Sequence, residues 1–356
     1  MKKNTIVLTI FSIIHFIVDF SCIYFMYNLF IDKNINQSTI ITMVIIYNFF
    51  AFFMQAPFGI MIDYFKGSYK YGALGCLLII LSTLFYKYKL ISVMILGIGN
   101  ALFHLSGGVE ILNRSEGKSS MPGVFVSTGA IGLFLGGQIK NIFNINDYFK
   151  YCIFLILIIS TILLLITDNK IGIYKQQLNN KIENNINNYK KIIIFLIIIF
   201  VVCIVIRSFV GTFSNFTWKK IFIYNLFLTF CVAFGKFIGG FLSDRFSAKN
   251  ITFISLLLSS ILFIFSEKYY VAGMISIFLF NMTMPITLTY IANLLNNNKG
   301  FAFGLTTLGL FFGYLPHYCS MFANVNIINF IPYIIILQNL LLCICIHIED
   351  KIINNK

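Results

Sequence analysis

Long apolar stretches follow one another from end to end of this chain, separated by short polar breaks. Twelve can be marked off, at 5–29, 39–62, 71–88, 90–112, 121–143, 149–167, 191–213, 221–243, 250–266, 270–294, 301–323 and 327–347. A helix needs roughly 17 to 25 apolar residues to cross about 30 Å of hydrocarbon, and each stretch is of that order. Inside a bilayer the backbone must satisfy its own hydrogen bonds, which leaves helices or closed barrels. Barrel strands alternate apolar with polar residues. A run such as "KIIIFLIIIFVVCIVI" does not alternate, so the reading is an all-α membrane protein with twelve transmembrane helices.

Composition excludes the main competitor. Hydrophobic residues make up 59% of the chain and charged residues 11%, against about 25% charged in an ordinary soluble domain. The net charge of +14 raises nucleic acid as a partner, but the cations are spread over short loops rather than clustered, so none is expected. With the N-terminus inside, the cytoplasmic loops and ends hold sixteen Lys or Arg and the external loops eight; Arg207 and Lys236 lie within spans. That bias is the positive-inside pattern. It places both termini in the cytoplasm of a multi-pass protein, expected in the plasma membrane. The start, "MKKNTIVLTIFSIIHFIVDF", has the basic opening of a signal peptide without a small-residue cleavage site, so it is read as a retained first helix. The eight cysteines stand singly without a CxxC pair, as buried small hydrophobes. No metal and no cofactor is expected.

The chain also repeats itself. A shift of 181 residues sets "FGIMIDYFKGSYK" (58–70) on "GGFLSDRFSAK" (239–249), with Gly59 on Gly240, Asp63 on Asp244 and Phe65 on Phe246. The same shift pairs Asn100 with Asn281, Gly123 with Gly304 and Gly132 with Gly313. Six crossings per half is an even number, so the halves enter the membrane in the same sense as a parallel repeat. The division is an N-terminal six-helix bundle at 1–167, a polar Asn- and Lys-rich cytoplasmic linker at 168–190, and a C-terminal six-helix bundle at 191–356.

A GxxxD phrase ending the second helix and repeated at the end of the eighth resembles the signature loop of the major facilitator superfamily. Gly240, Asp244 and Arg245 match that loop, while Ser247 stands where its second Gly belongs; the first copy keeps Gly59 and Asp63 but has Tyr64 in the basic position and Gly67 one residue late. The fifth helix, with Gly123, Gly129, Gly132, Gly136 and Gly137, is similar to a loose version of the family's antiporter motif without its Pro. The resemblance implies two parallel six-helix repeats, helices one and seven beside a central cavity, and secondary active transport by alternating access. It points to an efflux branch for drug-like or metabolite molecules, with uptake of a small organic anion as the alternative. Gly59, Asp63, Gly240, Asp244 and Arg245 take gating roles under this reading. The Arg found in the fourth helix of many proton-linked members is missing here; that helix offers Asn100, His104 and Glu110.

Ionisable residues inside spans call for a partner, a water cavity or a function. Asp19 lies in the middle of the first helix with His15 one turn earlier on the same face, a spacing at which the two can share a proton. Asp19, His15 and His104 are the candidates for proton coupling. Arg207 either pairs with an acidic group, binds an anionic substrate or neutralises something local. Lys236 either snorkels to the cytoplasm or faces the cavity. His317 reads as a packing residue, Glu110 as an ion-pair partner of Arg114, and Pro285 and Pro316 as kinks. Asn48, Gln55, Asn225 and Asn281 add polar groups to the spans. A lipid-modifying enzyme using "HFIVD" as a His and Asp pair is the competing class, as is a receptor on the same fold that no longer transports. No GxxxxGK[ST] phosphate loop is present, so an ATP-driven pump is not expected. The partners expected are the lipid bilayer, a small solute and protons, acting on a monomer.

Overall fold

The computed structural model describes residues 2–30, 36–142, 148–172, 189–322 and 325–353. Most of the expected linker, 173–188, lies outside the described residues; 168–171 complete the sixth helix and Lys190 opens the seventh. Among the described residues the chain is helical throughout, with no strand.

Twelve rods follow in order. They are α1 (Lys2–Phe30), α2 (Gln37–Asn48, continuing through Phe49–Phe53 into Gln55–Phe65), α3 (Ser68–Ser82), α4 (Lys89–Arg114), α5 (Ser120–Ile142) and α6 (Phe149–Ile171). Then come α7 (Lys190–Phe213), α8 (Phe222–Arg245), α9 (Ala248–Ile264), α10 (Tyr270–Asn281 and Thr283–Leu294), α11 (Lys299–Tyr318) and α12 (Ile331–Ile353). Ten are long and apolar enough to cross a membrane. The exceptions are α9, which is apolar but shorter, and α11, whose 20 residues include Lys299, Thr306, Thr307 and His317.

Two rods are not single smooth helices: α2, which no residue marks as irregular, and α10, where a kink is expected at Pro285. In α2 the segment Phe49–Phe53 is a π-helix, with the Met54 amide donating to the carbonyl of Phe49, five residues back. Nothing in "FFAFF" announces this by hydropathy, because a π-turn leaves the apolar count unchanged. In α10 the helix breaks at Met282. Pro285 has no N–H to give to the carbonyl of Asn281, four residues earlier, so the ladder is interrupted there and restarts at Thr283.

Contacts gather the chain into two compact units: Met1–Arg114 with Thr128–Tyr174 and Lys299–Leu308, and Ser115–Ser127 with Lys175–Asn298 and Gly309–Lys356. Each unit packs its helices by one scheme. In the first, α4 lies against α1, α2 and α3, and α6 against α1 and α3. In the second, α10 lies against α7, α8 and α9, and α12 against α7 and α9. The pairs correspond one for one after a shift of six helices, which is the internal repeat expressed as packing. Helix α4 is the most enclosed span, with Leu96, Ala101, Phe103 and Leu105 fully buried. By contrast α6 exposes Leu155, Ile159 and Ile162, an apolar face of the kind that lipid tails cover.

Candidate functional site

The first and fourth helices of the first unit bring three candidate residues together. Residues 15 and 19 are one turn apart on α1, and His104 comes from the enclosed α4. His15 Nε2 lies 3.2 Å from Asp19 Oδ2, His104 Nε2 lies 3.4 Å from Asp19 Oδ1, and the two Nε2 atoms are 2.9 Å apart. All three residues are buried. Asn100, one turn before His104, extends the group: its Nδ2 donates to Asp19 Oδ1 at 3.3 Å and reaches the Cys22 sulfur at 3.5 Å.

The hydrogens of this triad can be counted. His104 Nδ1 lies 2.9 Å from the Asn100 backbone carbonyl, which only accepts, so Nδ1 carries the hydrogen. In the neutral ring Nε2 then presents a lone pair. His15 Nε2 brings at most one hydrogen to three mutual contacts, and a neutral His104 faces the Asp19 carboxylate with lone pair against lone pair. One added proton on His104 Nε2 turns that repulsion into a charge-assisted bond. The site therefore has room for one more positive charge, supplied by a proton or another cation. His15, Asp19 and His104 are also a group whose ligand atoms all fall within 4.8 Å of one another, as a metal site requires. Gly129 on α5 closes one side; a Cβ there would run into Asp19 Oδ2 and His15 Nε2.

The second unit holds a cation at the corresponding helix pair. Arg207 on α7 is 6% exposed, and one of its Nη atoms donates to Thr283 (2.9 Å) and Thr287 (2.7 Å) on α10, while its Nε is buried without a hydrogen-bond partner among the described residues. Lys236 is half-buried on α8, one turn before Gly240, with its backbone carbonyl against Gly123.

The two repeated GxxxD phrases have matching geometry. Asp63 accepts from the backbone N–H groups of Gly300 and Phe301, both at 2.8 Å, at the start of α11. Asp244 accepts from those of Ser119 and Ser120, at 2.7 and 2.9 Å, at the start of α5. Each carboxylate satisfies two orphan donors and meets the positive end of a helix dipole. Gly59 and Gly240, one turn earlier, make the approach possible: a Cβ at Gly59 would strike the Gly300 backbone, and one at Gly240 that of Ser119. Arg245 is exposed, its guanidinium 5.6 Å from the centre of the Phe246 ring. The departures from the family loop also have a backbone reason. Gly67 sits at φ 89° where the first copy turns into α3, whereas Ser247 is extended at φ −108° and needs no glycine.

Sequence reasoning left several partners unseen. Glu110 and Arg114 pair at 3.0 Å, and both are buried: Ser68 donates to Glu110, and Arg114 donates to Tyr69, Asn4 and the Gly172 carbonyl. Thr283 and Thr287 were legible only as an i, i+4 pair of hydroxyls in an apolar helix. His317 is exposed and packs edge-on against Phe213.

No protein-family model matches this chain, and no curated protein matches it in sequence. Solved structures do match. A major facilitator superfamily transporter, FucP, in the outward conformation aligns with a TM-score of 0.66 at 11% identity, covering 98% of this chain and 99% of that one. A second structure of FucP, the fucose:proton symporter of E. coli, aligns at 0.67 and 12% with the same coverage. The proton:xylose symporter XylE, bound to 6-bromo-6-deoxy-D-glucose, aligns at 0.65 and 14% over 96% of this chain and 94% of that one. This chain has the twelve-helix fold of major facilitator superfamily transporters.

Proposed function

We propose that the protein is a secondary active transporter that moves a small solute by alternating access and couples it to protons at Asp19. The observation that carries this reading is the buried triad of Asp19, His15 and His104, which takes up one proton with a gain in hydrogen bonding, in a chain with a transporter fold. An ion site inside spans that can be charged or neutral is what coupling requires.

The bundles 1–167 and 191–356, tethered by 168–190, are the rocking bodies in this scheme. Asp63 and Asp244, with Gly59, Gly240 and Arg245, latch the cytoplasmic side, because each carboxylate holds a helix start that opening would release. Arg207 offers its free Nε to an anionic group of the solute, and Lys236 adds positive charge on α8. The direction proposed is efflux of a drug-like or metabolite molecule from the plasma membrane of the cell, by a monomer with both termini cytoplasmic. Proton-driven uptake is the second reading, favoured by solved neighbours that are symporters of fucose and xylose.

The test is reconstitution in vesicles under an imposed pH gradient, with a solute screen read by an internal pH dye. Wild type should show solute-dependent proton movement, inward or outward according to direction, and Asp19→Asn should not. Equal movement in both would remove Asp19 from the coupling step.

A further inference from the structure

We propose that His15, Asp19 and His104 form a three-ligand site for a divalent transition-metal cation of the Zn²⁺ and Co²⁺ class, with a fourth coordination position open. It uses the residues of the transport reading but rests on their geometry alone, since binding is a property of the resting protein.

Four observations converge. The first is spacing. A tetrahedral ion bonded at about 2.0–2.1 Å holds neighbouring donor atoms about 3.3 Å apart. Here the two Nε2 atoms are 2.9 Å apart, Asp19 Oδ2 is 3.2 Å from His15 Nε2 and Asp19 Oδ1 is 3.4 Å from His104 Nε2, and one donor atom from each residue falls within 4.8 Å of the others, so the carboxylate has to turn to offer one oxygen to an ion at the centre. The second is the tautomer. A ligating His ordinarily gives its other ring N–H to a backbone carbonyl or carboxylate, which aims the bare nitrogen at the metal. His104 does this through Nδ1 to the Asn100 carbonyl at 2.9 Å.

The third is charge. One carboxylate and two imidazoles, all buried among membrane-spanning helices, gather several lone pairs round one point with a single negative charge to neutralise. The fourth is an orphan. Asn100 is 2% exposed and its Oδ1 has no hydrogen-bond partner among the described residues, while its Nδ2 stands 3.3 Å from Asp19 Oδ1. Amide oxygen and nitrogen exchange places by a half-turn of the side chain. That turn sets an oxygen one tetrahedral edge from the carboxylate, as a fourth donor or as acceptor for a metal-bound water.

Donor type selects the ion. Two imidazole nitrogens and one carboxylate suit Zn²⁺, Co²⁺ or Ni²⁺, whereas Mg²⁺ and Ca²⁺ take oxygen shells.

The experiment uses the purified full-length chain in detergent, stripped by chelator. Titration with Co²⁺ should give one saturable site per chain and the intense visible absorption of a tetrahedral ion, and Zn²⁺ should displace the Co²⁺. Mg²⁺ at the same concentration should leave the spectrum unchanged. His15→Gln and His104→Gln should each weaken binding by at least the roughly 10- to 100-fold that losing an outer-shell partner of a ligand costs. A His317→Gln/His347→Gln variant, which removes the only other histidines of the chain, should bind like wild type. The wild-type spectrum stands even if a triad variant fails to fold.

The proposal is overturned by absence of saturable binding, by a weak octahedral spectrum, or by affinity that follows His317 and His347 instead of the triad. Metal binding with no solute-dependent proton movement breaks the transport reading alone; proton movement without metal binding breaks this one alone.

Discussion

Helices α1 and α4 of the first unit and α7 and α10 of the second meet by the same packing scheme, yet they hold opposite charges. The first pair encloses a carboxylate with two imidazoles within 3.4 Å; the second encloses a guanidinium that leans on two threonine hydroxyls and leaves its Nε unpaired. After the 181-residue shift, Asp19 falls on Phe200, His15 on Leu196 and His104 on Pro285, while Arg207 falls on Met26. Only Asn100 and Asn281 keep their type, and Asn281 bonds its own helix at Ile277. The helix-capping aspartates show the reverse, with Asp63 and Asp244 making the same pair of bonds in each unit. A repeat thus preserves what frames the helices, through glycine approach and capped helix starts, and lets the groups lining each helix pair diverge.

The largest effect expected comes from contrasting a satisfied buried charge with an unpaired one. Glu110→Ala strips the carboxylate from buried Arg114, and breaking such a pair costs about 3–5 kcal/mol. Thermal unfolding of the purified protein should drop accordingly, or the variant should fail to accumulate. A loss no greater than that of an ordinary surface change would mean that Tyr69, Asn4 and the Gly172 carbonyl suffice for Arg114.

Next in size is the functional asymmetry of the two helix pairs. Asp19→Asn keeps the shape but cannot be charged, and solute-driven proton movement should fall by roughly 100-fold, the scale on which a positioned proton-transfer group acts. Arg207→Gln should instead alter solute affinity and leave the proton-to-solute ratio intact. If Arg207→Gln abolishes the ratio and Asp19→Asn does not, the division of labour is reversed.

The capping aspartates should behave as equals. Asp63→Ala and Asp244→Ala should each lower stability by about 1 kcal/mol, as loss of a helix cap does. Each should also raise labelling, from the cytoplasmic side, of a cysteine introduced near the capped helix start. Unequal effects would show that the symmetry is geometric and not energetic.

The smallest effect concerns Arg207 in the resting protein. Arg207→Met replaces a buried cation that has no carboxylate partner among the described residues with a flexible apolar chain, a change expected to raise stability by about 1 kcal/mol. A clear loss of unfolding temperature would indicate that the two threonine bonds outweigh desolvation.

Much of the architecture was legible beforehand. Each of the twelve expected spans overlaps a helix, with ends that differ by up to about six residues, and ten of those helices are long and apolar enough to cross a membrane, because hydropathy summed over 20 residues is a local property that the bilayer imposes. The pairing of Gly59 with Asp63, and of Gly240 with Asp244, was visible as a repeated phrase. The π-turn at Phe49–Phe53 was not, since it alters hydrogen bonding without altering apolar content. Of the triad, His15 and Asp19 were joined by their i, i+4 spacing, but His104 lies 89 residues beyond His15 and no periodicity connects them. Gly129, which looked like one packing glycine among five, proves to lie against the triad itself.

By itself, then, the sequence determined an all-helical membrane protein of two repeated halves, with a Gly-x-x-x-Asp phrase at the end of the second helix in each. Those properties follow from the length of apolar runs and from self-similarity, which are written along the chain. Only the tertiary structure decided which polar residues meet: three buried groups about one point between α1 and α4, and an arginine among threonines between α7 and α10. Such meetings depend on the rotation of each helix about its axis and the depth at which two helices cross. Both are set by close packing of side chains far apart in the chain, and hydropathy carries no record of either.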